Sequence, residues 1–111
     1  MAKSSDIPQF GMLSGVKVLS SGVVVAEPFA AAHGADVIHV ESTRHPETTR
    51  CLTLSWAQDA RNRRALSLDL ASPKGREIFC RLLQWADIWM ESSKGGTYDK
   101  WGLTDEYVHS A

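Results

Sequence analysis

The sequence has few cysteines, no long apolar run and no excess of either charge. Its 111 residues include two cysteines, 12 Lys plus Arg and 13 Asp plus Glu, for a formal net charge of -1. Nothing indicates secretion, so we expect Cys51 and Cys80 to be free thiols. A balanced charge gives no general attraction to a nucleic-acid backbone. No stretch approaches the ~20 apolar residues that cross a bilayer, and the sequence therefore predicts a cytoplasmic chain without nucleic-acid or membrane partners.

Several common ligand-binding motifs are also missing. The four histidines do not stand at ligand spacing with a second histidine or a cysteine pair, so we predict no metal site. The segment after the first predicted strand, residues 20–25, has one glycine where the dinucleotide fingerprint needs three. Lys94 precedes its glycines, whereas a Walker loop has the reverse order, and no nucleophile elbow occurs. These absences argue against an ordinary NAD site, and we expect no covalently bound cofactor.

The length and composition fit one folded domain. At ~100–200 residues per domain, a chain of 111 residues with 43% hydrophobic and 23% charged residues forms a single modest core. Residues 1–14 are polar and contain Pro8 and Gly11, and we interpret them as an N-terminal arm. Residues 15–111 form the domain itself.

Short apolar segments alternate with helix signals along this domain. Strands are predicted at residues 16–19, 36–41, 65–70 and 87–91. A short helix is predicted from Pro28 to its stop at residues 33–34. The polar stretch 42–62 lacks clean periodicity, and we expect a partly ordered excursion whose Leu52, Leu54 and Trp56 cover the core.

The longest predicted helix has a clear start. Ser72 suits the N-cap and Pro73 the first helical position, and the apolar side chains that follow recur at spacings of three to four residues. Those side chains are Ile78, Phe79, Leu82, Leu83 and Ala86. A further helix start follows Thr104. This alternation predicts an α/β fold with a mainly parallel sheet, in which ligands bind beyond the carboxyl ends of the strands.

The segment that follows the last predicted strand could bind an anion. Residues 92–97 read Ser-Ser-Lys-Gly-Gly-Thr, and small residues let backbone N–H groups approach a phosphate while Lys94 adds a positive charge. The alternative is an ordinary Gly-Gly turn with an exposed lysine. A second basic cluster, residues 61–64, could contact phosphates or form a solvated face. The four tryptophans are expected in the core or at an interface.

Several ordered blocks of this sequence resemble the class III CoA-transferases, the CaiB/BaiF family. They are LSGVKVL (13–19), PFA (28–30), GADVIHVE (34–41), NRRALSLDL (62–70), GR (75–76) and ADIWME (86–91). Two further blocks, ESSKG (91–95) and GLTDE (102–106), look most like the carnitine-type branch of the family. The resemblance runs from about residue 13 to residue 106.

The resemblance implies a Rossmann-like fold and a transferase reaction. CoA would pass from an acyl-CoA thioester to a small carboxylic acid, with a carnitine-like or betaine-like acid as one candidate, through an aspartate that attacks the thioester. In the family that aspartate lies downstream of the matched region, so no catalytic residue is predicted here. The chain is expected to be the incomplete, N-terminal part of a large domain. Full-length members are expected to form interlocked homodimers.

The resemblance also implies a CoA site, with coenzyme A as substrate. The equivalent of Lys94 contacts CoA in the carnitine branch. We place the CoA-binding residues in two segments, which contribute Ser92, Ser93, Lys94, Gly95 and Lys100 and, after the first strand, Val25 and Ala26. Two departures oppose this site: Glu27 replaces a family glycine, and Trp101 replaces a basic residue, with Lys100 as its possible substitute. The first helix is also about one turn shorter than in the family.

Two other classes of function stay open from the residues alone. A non-catalytic binding or assembly module could use Trp89, Trp101 and an unfinished sheet to recruit another polypeptide. A generic Rossmann-like nucleotide binder would need phosphate contacts other than the missing glycine fingerprint.

Overall fold

The computed structural model describes residues 11–22 and 28–111 of the chain. The strands are β1 (Lys17–Ser20), β2 (Asp36–Ser42), β3 (Arg63–Leu68) and β4 (Ile88–Met90). The helices are α1 (Pro28–Ala32), α2 (Thr53–Asp59), α3 (Pro73–Trp85) and α4 (Asp105–Ser110), with 3₁₀ turns at Thr48–Cys51 and Asp99–Trp101.

The four strands form one sheet in the order β3-β2-β1-β4, and every pair is parallel. Lys17 pairs with Asp36 at the start of β1, and Leu19 pairs with Ile38 on one side and with Trp89 on the other. This order matches the first four strands of a doubly wound sheet. The predicted α/β, Rossmann-like fold with a mainly parallel sheet is therefore confirmed.

The two faces of the sheet carry separate apolar clusters because neighbouring side chains on a strand point to opposite faces. Val18 and Val37 pack with three alanines of the α1 region, Ala30, Ala31 and Ala35. Leu19, Val40, Leu68, Phe79 and Leu103 form the cluster on the α3 face. Val18, Leu19 and Phe79 are at most 1% exposed, so the centre of the sheet is covered on both sides.

Helix α3 begins as the sequence predicts. The Ser72 side chain accepts a hydrogen bond from the Gly75 backbone N–H at 3.0 Å, and Pro73 is the first helical residue. Phe79 is fully buried beneath the helix, whereas Ile78 is 42% exposed and lies at the margin of the apolar stripe. The helix start after Thr104 is also confirmed, because the Thr104 side chain accepts a hydrogen bond from Tyr107 N–H at 3.3 Å.

The excursion between β2 and β3 differs from the prediction. It contains a 3₁₀ turn and helix α2, and Leu52 and Leu54 are 59% and 86% exposed instead of covering the core. Trp56 alone turns inward, with the guanidinium groups of Arg50 and Arg63 at 4.3 and 5.2 Å from its ring centroid. Strand β3 also begins two residues earlier than predicted, at Arg63.

Asn62 makes the turn from α2 into β3. Its φ is 58°, in the left-handed region that asparagine tolerates better than most residues. Its side-chain amide donates to the Ala31 carbonyl at 2.8 Å, which ties this turn to the end of α1. The two arginines that follow Asn62 form ion pairs, since Arg63 contacts Glu47 and Arg64 contacts Asp36, whereas Arg61 donates to the Gln58 carbonyl at 2.8 Å.

Other expectations have mixed outcomes. Cys51 and Cys80 are free, as predicted. None of the helices in residues 11–22 and 28–111 has the length and apolar content that a bilayer crossing requires, and the cytoplasmic location stays a prediction. Most of the polar arm, residues 1–10, lies outside the described residues, as do Val25, Ala26 and Glu27.

Gly75 provides a test of the α3 packing. A Cβ at this position would lie 2.0 Å from the Asp69 carbonyl oxygen, so Gly75→Ala forces backbone atoms apart although alanine is the better helix former. We expect Gly75→Ala to lower the free energy of unfolding by about 1–3 kcal/mol, measured by urea denaturation. Lys74→Ala, at the exposed neighbouring position, should change it by less than about 0.5 kcal/mol. A Gly75→Ala variant as stable as the parent would contradict this packing.

Candidate functional site

The order in which strands are added to the sheet reverses at β1, which makes β1 and β4 the topological switch point. Strands β2 and β3 extend the sheet on one side of β1, and α3 then crosses back so that β4 lies on the other side. In open parallel sheets ligands bind beyond the carboxyl ends of the strands at such a switch point. Here those ends are Ser20 and Met90, which are register partners. The residues that follow Met90 are the predicted anion-binding segment.

A cleft of about 730 Å³ lies beside β4 at this place. Its walls come from the end of α3, from β4, from the segment after β4 and from α4. A cavity of this size is in the range that holds a small-molecule ligand or cofactor. Ser92, Lys94 and Gly96 line the cleft, and so do Tyr98 and Asp99 from the following turn.

A tight turn sets the backbone around Lys94. The Lys94 carbonyl accepts hydrogen bonds from the backbone N–H of Thr97 at 3.1 Å and from its hydroxyl at 2.5 Å. Gly96 has a φ of +79°, in the left-handed region that disfavours other residues. The turn closes through its own backbone, and the exposed Lys94 side chain lines the cleft.

The predicted site residues fall into three groups. Ser92 and Lys94 line the cleft. Ser93, Gly95 and Lys100 are close in sequence but are not among its lining residues, and Lys100 and Gly95 are exposed. Val25 and Ala26 lie outside the described residues. Trp101 packs its ring against Tyr98, with the centroids 5.5 Å apart, so it belongs to the α3 face of the core. The assignment of these residues to a CoA site stays a prediction.

The sequence analysis missed an aromatic cluster that connects this segment to β1. The indole N–H of Trp89 donates to Ser21 Oγ at 2.8 Å, and the Tyr98 hydroxyl donates to the same oxygen at 2.7 Å. The two rings meet edge to face with centroids 4.8 Å apart, and Trp89 also contacts Phe79. Ser21 is separated from Tyr98 by 77 positions, and no local pattern in the sequence pairs the two residues.

Carboxylates line much of the same cleft. Asp87, Glu91, Asp99 and Asp105 all contribute to its walls. Two of them accept backbone hydrogen bonds: Asp87 from Lys17 N–H at 2.9 Å and Glu91 from Ser93 N–H at 2.7 Å. These bonds offset part of the negative charge. Among the described residues, no group of three or more His, Cys, Asp or Glu side chains is placed to hold a metal ion.

A second polar cluster is buried on the other face of the sheet, at the ends of β1 and β2. Ser20 Oγ and His39 Nδ1 lie 3.1 Å apart. His39 Nε2 is 3.2 Å from a Glu47 carboxylate oxygen without hydrogen-bond geometry, and Arg63 is 3.3 Å from the same oxygen. Side chains of His39, Glu47 and Arg63 are at most 4% exposed. The cluster is therefore enclosed within the fold, at the carboxyl ends of β1 and β2.

Burial and neighbouring charge control the ionisation of this cluster. Burial, followed by the positive charge of Arg63, lowers the pKa of His39 below its ordinary value of 6.5. Beside it, the hydrogen bond from Arg50, at 2.7 Å from Nε, lowers the pKa of Glu41 to about 2. His39 is therefore neutral and Glu41 ionised in the folded chain near neutral pH.

The fold and the cleft together define a parallel α/β protein with an open cleft along the edge strand β4, next to the switch point of its sheet. Residues 13–111 match the sequence profile of CoA-transferase family III, and the chain belongs to that family. The membership expected from the sequence blocks is confirmed.

Curated relatives and solved structures agree with this assignment. The chain is 45% identical over 108 residues to bile acid CoA-transferase BaiK of Clostridium scindens, covering 94% of this chain and 24% of that protein. It is 39% identical over 112 residues to L-carnitine CoA-transferase of Proteus mirabilis, covering 97% of this chain and 28% of that protein. A CaiB/BaiF family protein from Brucella suis has a similar structure, with a TM-score of 0.80, 30% identity, and coverage of 92% of this chain and 31% of that chain.

His39 should make the stability of the fold depend on pH. Because its pKa is lower in the folded chain than in the unfolded chain, the unfolded state binds the proton more tightly, and stability is lost as the pH falls below about 6.5. We expect His39→Gln to flatten the pH dependence of the unfolding free energy between about pH 7 and pH 5, by up to about 1.4 kcal/mol per pH unit. Urea titrations at several pH values measure this slope.

His45→Gln, which changes an exposed histidine, is the matched control and should keep the parent slope. An unchanged slope in His39→Gln would show that this histidine is not held neutral by the fold.

Proposed function

We propose that the chain contributes part of the CoA-binding site of a CoA-transferase, which moves CoA from an acyl-CoA thioester to a small carboxylic acid. The observation that carries this proposal is the position of Lys94, in a glycine turn beyond the carboxyl end of β4 and in the wall of the switch-point cleft. Family membership supports the same ligand. CoA carries a diphosphate and a 3'-phosphate, and an exposed ammonium group with nearby backbone amides is a suitable partner for either.

The charges in the cleft indicate how CoA would lie. The diphosphate should approach Lys94 and stay away from Asp87 and Asp105, since like charges repel at short range in a partly desolvated cleft. Glu91 and Asp99 lie beside the Lys94 turn and oppose its attraction for the phosphates. The pantetheine arm carries no charge and can pass the acidic walls at lower cost. Ser92 and the backbone of Gly96, which also line the cleft, would add neutral donors beside the phosphates.

The chemical step would need a residue beyond those assigned here. Family resemblance implies an aspartate nucleophile downstream of the matched blocks, so none of the aspartates in this cleft receives that role. The chain spans about a quarter of the length of the curated relatives it matches. We accordingly propose turnover, the interlocked homodimer and the acceptor acid only for a full-length member of the family. One relative's name gives L-carnitine, which supports a carnitine-like or betaine-like acid, and the name of a relative with higher identity gives a bile acid, which supports a larger, more apolar one.

Titration with CoA tests the proposed site. Lys94→Ala should weaken CoA binding by about 1 kcal/mol, or about fivefold in Kd, because the exposed ammonium group contributes a screened charge interaction. Isothermal calorimetry measures the affinity. Pantetheine, which lacks the phosphates, should bind the parent and Lys94→Ala equally.

The control is Lys17→Ala, since Lys17 is an exposed lysine at the amino end of β1, away from the carboxyl edge of the sheet. It should bind CoA like the parent. Equal CoA affinities for the parent and Lys94→Ala, or no binding by either, would count against a CoA site at this loop.

An assembly module is the second candidate, and the exposed edge of the sheet favours it. Within the described residues β4 pairs only with β1, although its three residues are all apolar and Ile88 is 48% exposed. Parallel strands are usually buried on both faces. The free edge could therefore receive a strand from another polypeptide by β-augmentation.

Sedimentation of the chain tests this candidate. An assembly module should associate as its concentration rises, and Ile88→Lys should return it to monomer because a charge on an edge strand opposes pairing. Leu54→Lys, on the exposed surface of α2, should leave association unchanged. A parent chain that stays monomeric up to about 0.1 mM, well above the Kd of a micromolar complex, would exclude a stable assembly of its own copies.

A further inference from the structure

We propose that Ser21, Trp89 and Tyr98 form a latch that holds the Lys94 turn against the end of β1, and that Tyr98 is thereby a positioning residue for CoA binding. The name "Ser21 latch" refers to these three residues. The positioning role rests on the proposed CoA site, whereas the latch itself concerns the turn and can be tested without CoA.

The latch joins three elements at one oxygen atom. Ser21 Oγ accepts a hydrogen bond from the Trp89 indole and another from the Tyr98 hydroxyl, at 2.8 and 2.7 Å. Two acceptor positions are what a serine hydroxyl offers. The Ser21 backbone N–H donates to the Met90 carbonyl at 3.0 Å, which fixes Ser21 relative to β4. The latch therefore spans the switch point between β1 and β4.

Only three residues separate Tyr98 from Lys94, and hydrogen bonds within this segment hold its backbone in a turn. Thr97 precedes Tyr98 and bonds the Lys94 carbonyl through both its backbone N–H and its hydroxyl. After Tyr98 the chain enters the 3₁₀ turn Asp99–Trp101, and both Trp101 N–H and Leu103 N–H donate to the Tyr98 carbonyl, at 3.0 and 3.1 Å. Holding the Tyr98 ring in place consequently restricts the backbone on both sides of it, including the turn at Lys94.

Ring packing and hydrogen bonding orient the Tyr98 ring together. It meets Trp89 edge to face, with centroids 4.8 Å apart and planes at 87°, and Trp101 in the same manner at 5.5 Å. Ring packing alone would let the Tyr98 ring shift in its own plane. A half-buried hydroxyl that loses its hydrogen-bond acceptor, however, raises the free energy of the folded state. The hydroxyl bond to Ser21 thus selects one position of the ring and of the turn attached to it.

An ordered turn matters for binding because Lys94 is exposed. Ordering a mobile loop on ligand binding costs free energy, and a loop already held in its binding conformation avoids part of that cost. The latch supplies such order from the side of β1 and β4, and its three residues carry no charge. Its loss should weaken CoA binding without removing any charge from the cleft.

The experiment uses Tyr98→Phe, Ser21→Ala and the double variant of the full chain. Tyr98→Phe removes one hydroxyl and keeps the ring, and Tyr107→Phe is the matched control because the Tyr107 hydroxyl lies 3.6 Å from Cys80 Sγ, outside the latch. Amide hydrogen exchange of Thr97 reports on the turn, and that of Ala86, which bonds to Leu82, reports on the end of α3. CoA affinity is measured by calorimetry on the same samples.

Both latch variants should raise the exchange rate of the Thr97 amide by about fivefold or more and leave that of Ala86 unchanged. Each should also weaken CoA binding by about threefold to tenfold. The double variant should lose less than the sum of the two single losses, because both changes remove the bond between the Tyr98 hydroxyl and Ser21 Oγ, and only a longer contact of that hydroxyl with the Ser21 carbonyl, at 3.4 Å, survives in Ser21→Ala. Tyr107→Phe should match the parent in all three measurements.

Each contrary result has a separate meaning. An unchanged Thr97 exchange rate in Tyr98→Phe overturns the latch whether or not CoA binds. Faster exchange with unaltered CoA affinity overturns the positioning role and leaves the proposed CoA site intact. A parent chain that binds no CoA overturns the proposed site and the positioning role together, while its exchange data still decide whether the latch exists.

Discussion

Strand β1 is hydrogen-bonded along both edges, to β2 and to β4, and covered on both faces. Val18 and Leu19 are at most 1% exposed, so any change of register would move an apolar side chain to the wrong cluster. The position of every other element follows from this strand. Helix α1 covers one face, α3 covers the other, and the two chain segments that leave β1 and β4 at their carboxyl ends are brought side by side. The switch-point cleft is thus a consequence of how the central strand is paired.

The polar residues at the carboxyl ends of the strands lie in two different environments, one on each face of the sheet. On the α1 face, Ser20 and His39 continue the apolar rows of Val18 and Val37, and they close with Glu47 and Arg63 into a buried cluster. Burying such groups is tolerable only when charges and hydrogen bonds compensate one another. On the α3 face, Ser21 instead accepts bonds from the aromatic residues that border the cleft. One face is therefore sealed by a charge network, and the other stays open beside Lys94.

Local signals predicted the elements that local chemistry controls. Ser72 and Pro73 start α3, Thr104 starts α4, and the alternating apolar residues of β1 and β2 give buried parallel strands, as the sequence indicates. Helix α2 was missed because it has no apolar stripe: Leu52 and Leu54 are exposed, and Trp56 packs beside the charged side chains of Arg50 and Arg63. The Lys94 turn could be located because it follows a predicted strand. Its attachment to Ser21 could not, since it depends on two side chains meeting across 77 positions.

The unpaired edge of β4 limits how much of a ligand's surface this part of the family fold can contact. Its apolar residues suit a strand that is flanked on both sides, yet Ile88 is 48% exposed and the cleft runs along the same strand. The relatives are three to four times as long as the segment matched here, as coverage of 24–31% of their length requires. A ligand in this cleft would touch α3, β4, the Lys94 turn and α4, and affinity depends on how completely those contacts surround it. In the proposed CoA site the phosphates would need only the turn and its lysine, whereas the apolar half of the pantetheine arm would need more wall than β4 alone provides. A segment that holds the Lys94 turn in a fixed position would therefore give the proposed CoA site its charged contact before any further wall is added.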